Sequence, residues 1–193
     1  HSTLAYAGSL AGFETVFDVT SDKGFYQFIS KLASEEIIGS FNPPKELNAE
    51  LYSKDIIQRF LNPNIRHLLA QIAFDGSQKI QMRILPTIED NLRLGRSTTL
   101  LALSLACWFE FICQALKSAS EIVDPIASTL ANMPQLKSND VMEVVEAFLS
   151  IESIFGQTFK DNTQLKAQLI NSLTALRIGD IKNINNIVDK LSA

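Results

Sequence analysis

The amino-acid sequence predicts an all-α fold, a single multi-helical domain over residues 1–193, on three observations. Apolar residues recur at i, i+3, i+4 and i+7 in one segment after another, the spacing of a helix with one buried face. Alternating apolar and polar runs closed by turn dipeptides, which mark half-buried strands, are scarce. No linker, low-complexity tract or internal repeat divides the chain, and a chain of this length can bury roughly 70% of its unfolded surface in one core.

The elements follow in order. The opening segment is apolar and holds Gly8 and Gly12, four apart, where a missing side chain lets a neighbouring element approach closely. Asp22 is placed to cap a helix whose stripe is Phe25, Phe28, Ile29 and Leu32 and whose end is near Gly39. Asn42-Pro43-Pro44 is a loop, and a second helix runs from about Asn48 to Leu61. Asn62-Pro63 breaks the chain, and Pro63 or Asn64 is expected to open a helix carrying Ile65, Leu68, Leu69 and Ile72 as far as Asp75-Gly76. Ser77 is expected to cap the next helix, in which Ile80, Ile84, Ile88 and Leu92 face inward, Pro86 makes a kink and Gly95 ends the run. Thr98 or Thr99 starts the most apolar helix, with Trp108 and both cysteines. Val141, Val144, Val145, Phe148 and Ile151 mark a further helix expected to close at Gly156. Asp161 and Gln164 have capping-box spacing ahead of Leu165, Leu169, Leu173 and Leu176, with Gly179 as the C-terminal glycine. Asp180 caps a last helix bearing Ile184, Ile187, Val188 and Leu191.

Composition narrows the partners. A net charge of −4 and a pI near 5.2 supply no basic field, which disfavours nucleic acid and anionic membrane surfaces. Cys107 and Cys113 are six apart, about 240° around a helix, and so are not expected to bridge. Two thiols in a chain this long fit a reducing, cytoplasmic compartment. The longest apolar stretch, Leu100 to Phe109, is far below the roughly 20 residues that cross a bilayer and meets Glu110. The chain opens on His1 rather than Met, as though an element were entered partway.

Standard site motifs are absent. There is no glycine-rich dinucleotide fingerprint, no phosphate-cradling loop and no nucleophile elbow, so this stretch is expected to bind no nucleotide by itself. Two histidines and two cysteines, scattered along the chain, give no zinc ligand set. His67, beside Arg66, is assigned no role. Lys79 and Arg83 are four apart on one helix and either hold a carboxylate or hydroxyls together or form a solvated cationic face.

Two ordered blocks carry a family resemblance. The first is His1-Ser2-Thr3-Leu4-Ala5-Tyr6-Ala7-Gly8-Ser9-Leu10-Ala11-Gly12 with Phe13-Glu14-Thr15-Val16. The second is Arg59-Phe60, Asn62-Pro63 and Gln71-Ile72-Ala73-Phe74-Asp75-Gly76-Ser77-Gln78-Lys79. Together they resemble the C-terminal domain of the polyol-specific long-chain dehydrogenases, the family of mannitol dehydrogenase and fructuronate reductase (D-mannonate oxidoreductase). The likeness is clear over the first half and continues weakly through Leu85-Pro86-Thr87-Ile88 and the helical remainder.

The resemblance implies the helical domain of a 6-phosphogluconate-dehydrogenase-like two-domain enzyme, with the nucleotide-binding Rossmann domain upstream of this chain. It implies NAD, bound mainly by that upstream domain, and a polyol or uronate substrate; the histidine and cysteine count leads to no metal being expected. The family's catalytic helix carries K-x-x-x-x-N-x-x-H, and His1 matches its histidine, a donor to the reacting oxygen; an affinity-tag remnant is the other origin for a histidine there. Lys79 matches a substrate-contacting lysine. Gln71 stands where mannitol-oxidising members tend to place arginine, which leans toward fructuronate and mannonate, with fructose and mannitol next. A fragment of this kind is expected to be inactive alone. The alternative is a stand-alone helical module that docks a partner through the face near Gly8 and Gly12 and performs no chemistry.

Overall fold

The computed structural model of the chain describes residues 1–192 and is built of α-helices joined by short 3-10 and π-helical turns. Among these residues the sole β-type pairing is an isolated antiparallel bridge between Thr15 and Leu68. Helix α1 (Ser2–Leu10) is apolar nearly all round and buries Ser2 through Gly8, as an interior helix must. Thr15 caps α2 (Val16–Ser21) through a reciprocal box with Asp18. Asp22 accepts from Gly24 N and Phe25 N to start α3 (Lys23–Lys31), whose Phe25, Phe28 and Ile29 are buried. A π-helical turn, Leu32–Ile37, and a 3-10 turn, Ile38–Ser40, lead to the loop before Asn48, which caps α4 (Ala49–Phe60).

The next helix is much shorter than the sequence predicts. Only α5 (Leu69–Ile72) forms, and residues 61–68 run non-helically. The backbone groups there find partners across the chain instead: Val16 N–H donates to His67 O at 3.0 Å, and Leu69 N–H donates to Glu14 O at 2.9 Å. Asn62 adds a local turn by accepting from Asn64 N. Ile65 and Leu68, predicted on the buried stripe, are consequently exposed.

From Gly76 a continuous helical rod follows, made of α6 (Gly76–Lys79), a π-helical turn over Ile80–Ile84, and α7 (Leu85–Arg93). The distortion predicted at Pro86 appears as that widened turn just before it, which accommodates the missing N–H and the ring. Ser77 does not cap this rod; Asp75 holds the capping position, in left-handed backbone at φ 54° and ψ 39°. Beyond Gly95, Thr98 precedes α8 (Thr99–Lys117), which buries Leu100 through Phe109 along with Ile112 and Cys113. At 19 residues and mean hydropathy 1.7 this helix is long and apolar enough to cross a membrane, yet 78% of that window is buried inside the molecule. It runs on through Glu110, whose carboxylate pairs with Arg177 at 2.9 Å.

Helix α9 (Ala127–Ala131) and a 3-10 turn, Pro134–Lys137, lead to α10 (Val141–Leu149), capped by Asp140. Gly156 does not close α10. It bends the following helix, α11 (Glu152–Lys160), with φ 55° and ψ −171°. Asn162 rather than Asp161 caps α12 (Thr163–Ile178), accepting from Leu165 N at 2.8 Å. Gly179 follows in extended rather than left-handed backbone, with φ −95°. Its smallness matters for space, since a Cβ there would lie 2.7 Å from Ala175 O. Asp180 caps a 3-10 turn, Ile181–Asn183, that runs into α13 (Ile184–Ser192). The centre of the molecule is α8, with α1 along one side and α12 along another.

Candidate functional site

His1 holds the capping position at the start of α1 and lines a cavity of about 330 Å³ together with Val16, Ile56, Arg59, Phe60, Ile65 and His67. Its ring meets Phe60 edge-on, with centroids 4.5 Å apart at 70°. Three features of the chain build this cavity. Asn62-Pro63 ends α4 and leaves Arg59 and Phe60 in its last turn. The bridge between Thr15 and Leu68 folds the 65–68 segment back beside Val16. The buried α1 holds the residue just before it, His1, against them. A second, more apolar cavity of about 510 Å³ continues from His1 and Phe60 toward Ile37, Phe41, Leu47 and Tyr52.

The second candidate region is the corner that ends at Lys79. Lys79 Nζ donates to Ile72 O at 2.8 Å and Phe74 O at 2.6 Å. An ammonium has three protons, so one remains for a ligand oxygen. Gln71 is exposed on α5. The corner between them is tied down from several sides. Tyr6 Oη donates to Ala73 O at 3.2 Å, and Asp75 N–H donates to Val123 O at 3.0 Å. Asp124 accepts from Ser77 N at 2.8 Å, Ser77 Oγ at 2.6 Å and Ile126 N at 3.1 Å. A Cβ on Gly76 would stand 2.6 Å from both Trp108 Nε1 and Tyr6 Oη, so only glycine fits. Burial, and then the charges of Asp124 and Asp75, push the Tyr6 phenol well above its usual range, which keeps it protonated as a donor.

These residues fall into two groups. Neither cavity at His1 is lined by Lys79 or Gln71, whereas Arg59 and His67 are brought directly to it. Helix α1 connects the groups, with His1 at its start and Tyr6 against the corner. The two glycines of the opening segment separate in the same way. A Cβ on Gly8 would lie 2.8 Å from Leu69 Cδ1 and 3.1 Å from Val19, the close approach expected of it. Gly12 has nothing within 4 Å and is required instead by its φ of +84°. Arg59 carried a signal in the sequence, as part of the second block. His67 carried none, because its place depends on a pairing between segments some fifty residues apart in a non-helical stretch.

With only an isolated bridge, the described residues contain no strand-turn-helix of the kind that cradles a dinucleotide phosphate. Nor does any group of three or more His, Cys, Asp or Glu side chains among them stand close enough to hold a metal.

The architecture is that of the helical part of the polyol dehydrogenases. Pseudomonas fluorescens mannitol 2-dehydrogenase, solved as a ternary complex with NAD and D-mannitol, matches 98% of this chain with 38% of its own, at TM-score 0.86 and 23% identity. The chain matches the mannitol dehydrogenase C-terminal domain over residues 1–177 and belongs to that family. Among its relatives, a mannitol dehydrogenase of Saccharomyces cerevisiae is 32% identical over 99% of the chain and 38% of its own length. The D-mannonate oxidoreductase of Escherichia coli is 30% identical over 91% of the chain and 35% of its own length. The chain thus spans little more than a third of the relatives it matches.

Proposed function

We propose that residues 1–193 are the C-terminal substrate-binding domain of an NAD-dependent oxidoreductase that interconverts a keto-uronate or ketose with its aldonate or polyol, fructuronate and mannonate before fructose and mannitol. The observation that carries this reading is the place of His1, capping a buried helix and lining a small-molecule-sized cavity, in a chain of the mannitol dehydrogenase family. Reduction of a carbonyl gathers negative charge on its oxygen, and a donor already fixed at that oxygen lowers the barrier. The His1 ring, held by Phe60, is such a donor. Lys79, immobilised by two carbonyls with one proton to spare, and Gln71 line neither cavity at His1, and are proposed as contacts to the part of the substrate that projects from it. NAD belongs to a Rossmann domain upstream, and the enzyme works in the cytoplasm.

The test is a substrate panel on the parent enzyme, with fructuronate, mannonate, fructose and mannitol, beside His1→Ala and Lys79→Ala variants. His1→Ala is expected to lower kcat by about 10² to 10³, the usual cost of one donor to a reacting oxygen. The 193-residue chain alone is expected to turn over none of these. Turnover by the chain alone, or a His1→Ala enzyme as fast as wild type, overturns the proposal.

A further inference from the structure

The cavity beside His1 has a composition of its own. Of the seven residues that line it, His1, Arg59 and His67 are basic and none is acidic, while Val16, Ile56, Phe60 and Ile65 are apolar. The Arg59 guanidinium makes no hydrogen bond or ion pair within the described residues. An unpaired guanidinium beside two imidazoles, with hydrocarbon walls that weaken competition from water, attracts an anion. The planar fork of arginine suits a carboxylate by two parallel hydrogen bonds. At about 330 Å³ the space is within the range of small-molecule sites.

We propose that Arg59 and His67 form a carboxylate site beside His1 and select an aldonate or keto-uronate over the neutral polyol or ketose. The carboxylate is held at the Arg59 fork, with His67 as a second donor, while the reacting oxygen of the same molecule reaches His1. This assignment rests on the reading of the chain as a substrate-binding domain, and it adds residues of specificity distinct from Lys79 and Gln71. The geometry favours it because the three basic side chains converge from different parts of the chain: the start of α1, the last turn of α4, and the segment bridged to residue 15.

Two experiments test it separately from the enzymatic reading. The chain has only two histidines, so their ring resonances report the site directly by NMR. Titration with sodium mannonate is expected to shift both saturably, while mannitol at the same concentration shifts neither and inorganic phosphate binds more weakly. Arg59→Gln and His67→Gln are each expected to weaken mannonate about 30-fold, the scale of one charge-assisted hydrogen bond. Arg59 is exposed, so its variant should keep the fold, and wild-type circular dichroism checks this. In the parent enzyme, Arg59→Gln is expected to lower the ratio of kcat/KM for mannonate over mannitol by a similar factor, through KM rather than kcat. Equal response to phosphate and mannonate, or binding and substrate ratio unmoved by Arg59→Gln, overturns the site. An enzyme inert toward the whole panel, with the mannonate shifts intact, would overturn the proposed reaction and leave the carboxylate site standing.

Discussion

Asp124 shows how much a single side chain can organise. Its two oxygens hold Ser77 N, Ser77 Oγ and Ile126 N, and so join the loop after α8 to the start of the helical rod. Asp124→Ala leaves those donors without acceptors in a half-buried place. It is expected to lower stability by about 2–3 kcal/mol in urea denaturation, and to loosen the corner that carries Lys79. Asp124→Asn, which keeps one acceptor oxygen, should lose about half of that. The cysteines are a different case. Both are free and buried, and burial first, then Glu110, pushes the Cys113 thiol up to about 12 from a usual 9. A group whose folded pKa is raised stabilises fully below its unfolded pKa and loses that contribution as pH climbs to the folded one. The expected outcome is that stability falls between about pH 9 and pH 12, and less steeply in Cys113→Ala, as read by chemical denaturation across that range. At neutral pH neither thiol should react with a thiol reagent until the chain is unfolded. The site itself was only partly legible in the sequence: Lys79 and Arg59 lie in recognisable blocks, but which of them shares space with His1 depends on where residues 65–68 run.

At the scale of elements, helices whose stripe and cap agree were readable from local chemistry alone. Asp22 with Phe25, Phe28 and Ile29, and Asp180 ahead of Ile184, Ile187 and Val188, formed where their spacing put them. The reading failed where a long-range partner outbid the local one, as in the backbone bonds of His67 and Leu69 to the segment before α2. It also failed at Gly156, which bends a helix instead of closing one, while Gly179 does end α12 but in extended backbone, where its smallness makes room. Glu36 was missed altogether, although it lies four residues beyond Leu32 on the buried stripe. It is 1% exposed, and its carboxylate accepts from Leu100 N at 3.0 Å, Leu101 N at 2.8 Å and Ser97 Oγ at 2.8 Å. A buried carboxylate that forms no ion pair among the described residues is tolerable at the positive end of a 19-residue helix. Glu36→Ala strips the cap from the central helix, and a loss of about 3 kcal/mol is expected in the same denaturation assay. A loss under about 1 kcal/mol would mean that water caps α8 as well as the carboxylate does.

The whole molecule is organised around α8, and this predicts how it unfolds. The buried side chains form one contiguous cluster that runs from Leu4 through Trp108 to Val188, with no polar layer dividing an amino-terminal from a carboxy-terminal half. Two ties cross what would be the seam. Glu36 caps α8 from the amino-terminal half. On the other side Arg177 of α12 pairs with Glu110 of α8, both side chains largely buried, and also holds the carbonyls of Ser138 and Asn139. A core that shares one helix cannot lose either half without exposing the other, so unfolding should be a single cooperative step. Trp108, the only tryptophan, is fully buried at the centre and reports that step by fluorescence. Helical circular dichroism reports the thirteen α-helices of the described residues at once. The two midpoints in urea are expected to coincide. Glu110→Gln, which leaves Arg177 buried without its counter-charge, should lower stability by about 2–3 kcal/mol and move both midpoints down together. If the dichroism signal instead decays in two steps, with Trp108 following only one of them, then α8 belongs to one half and the shared core is not what holds the other.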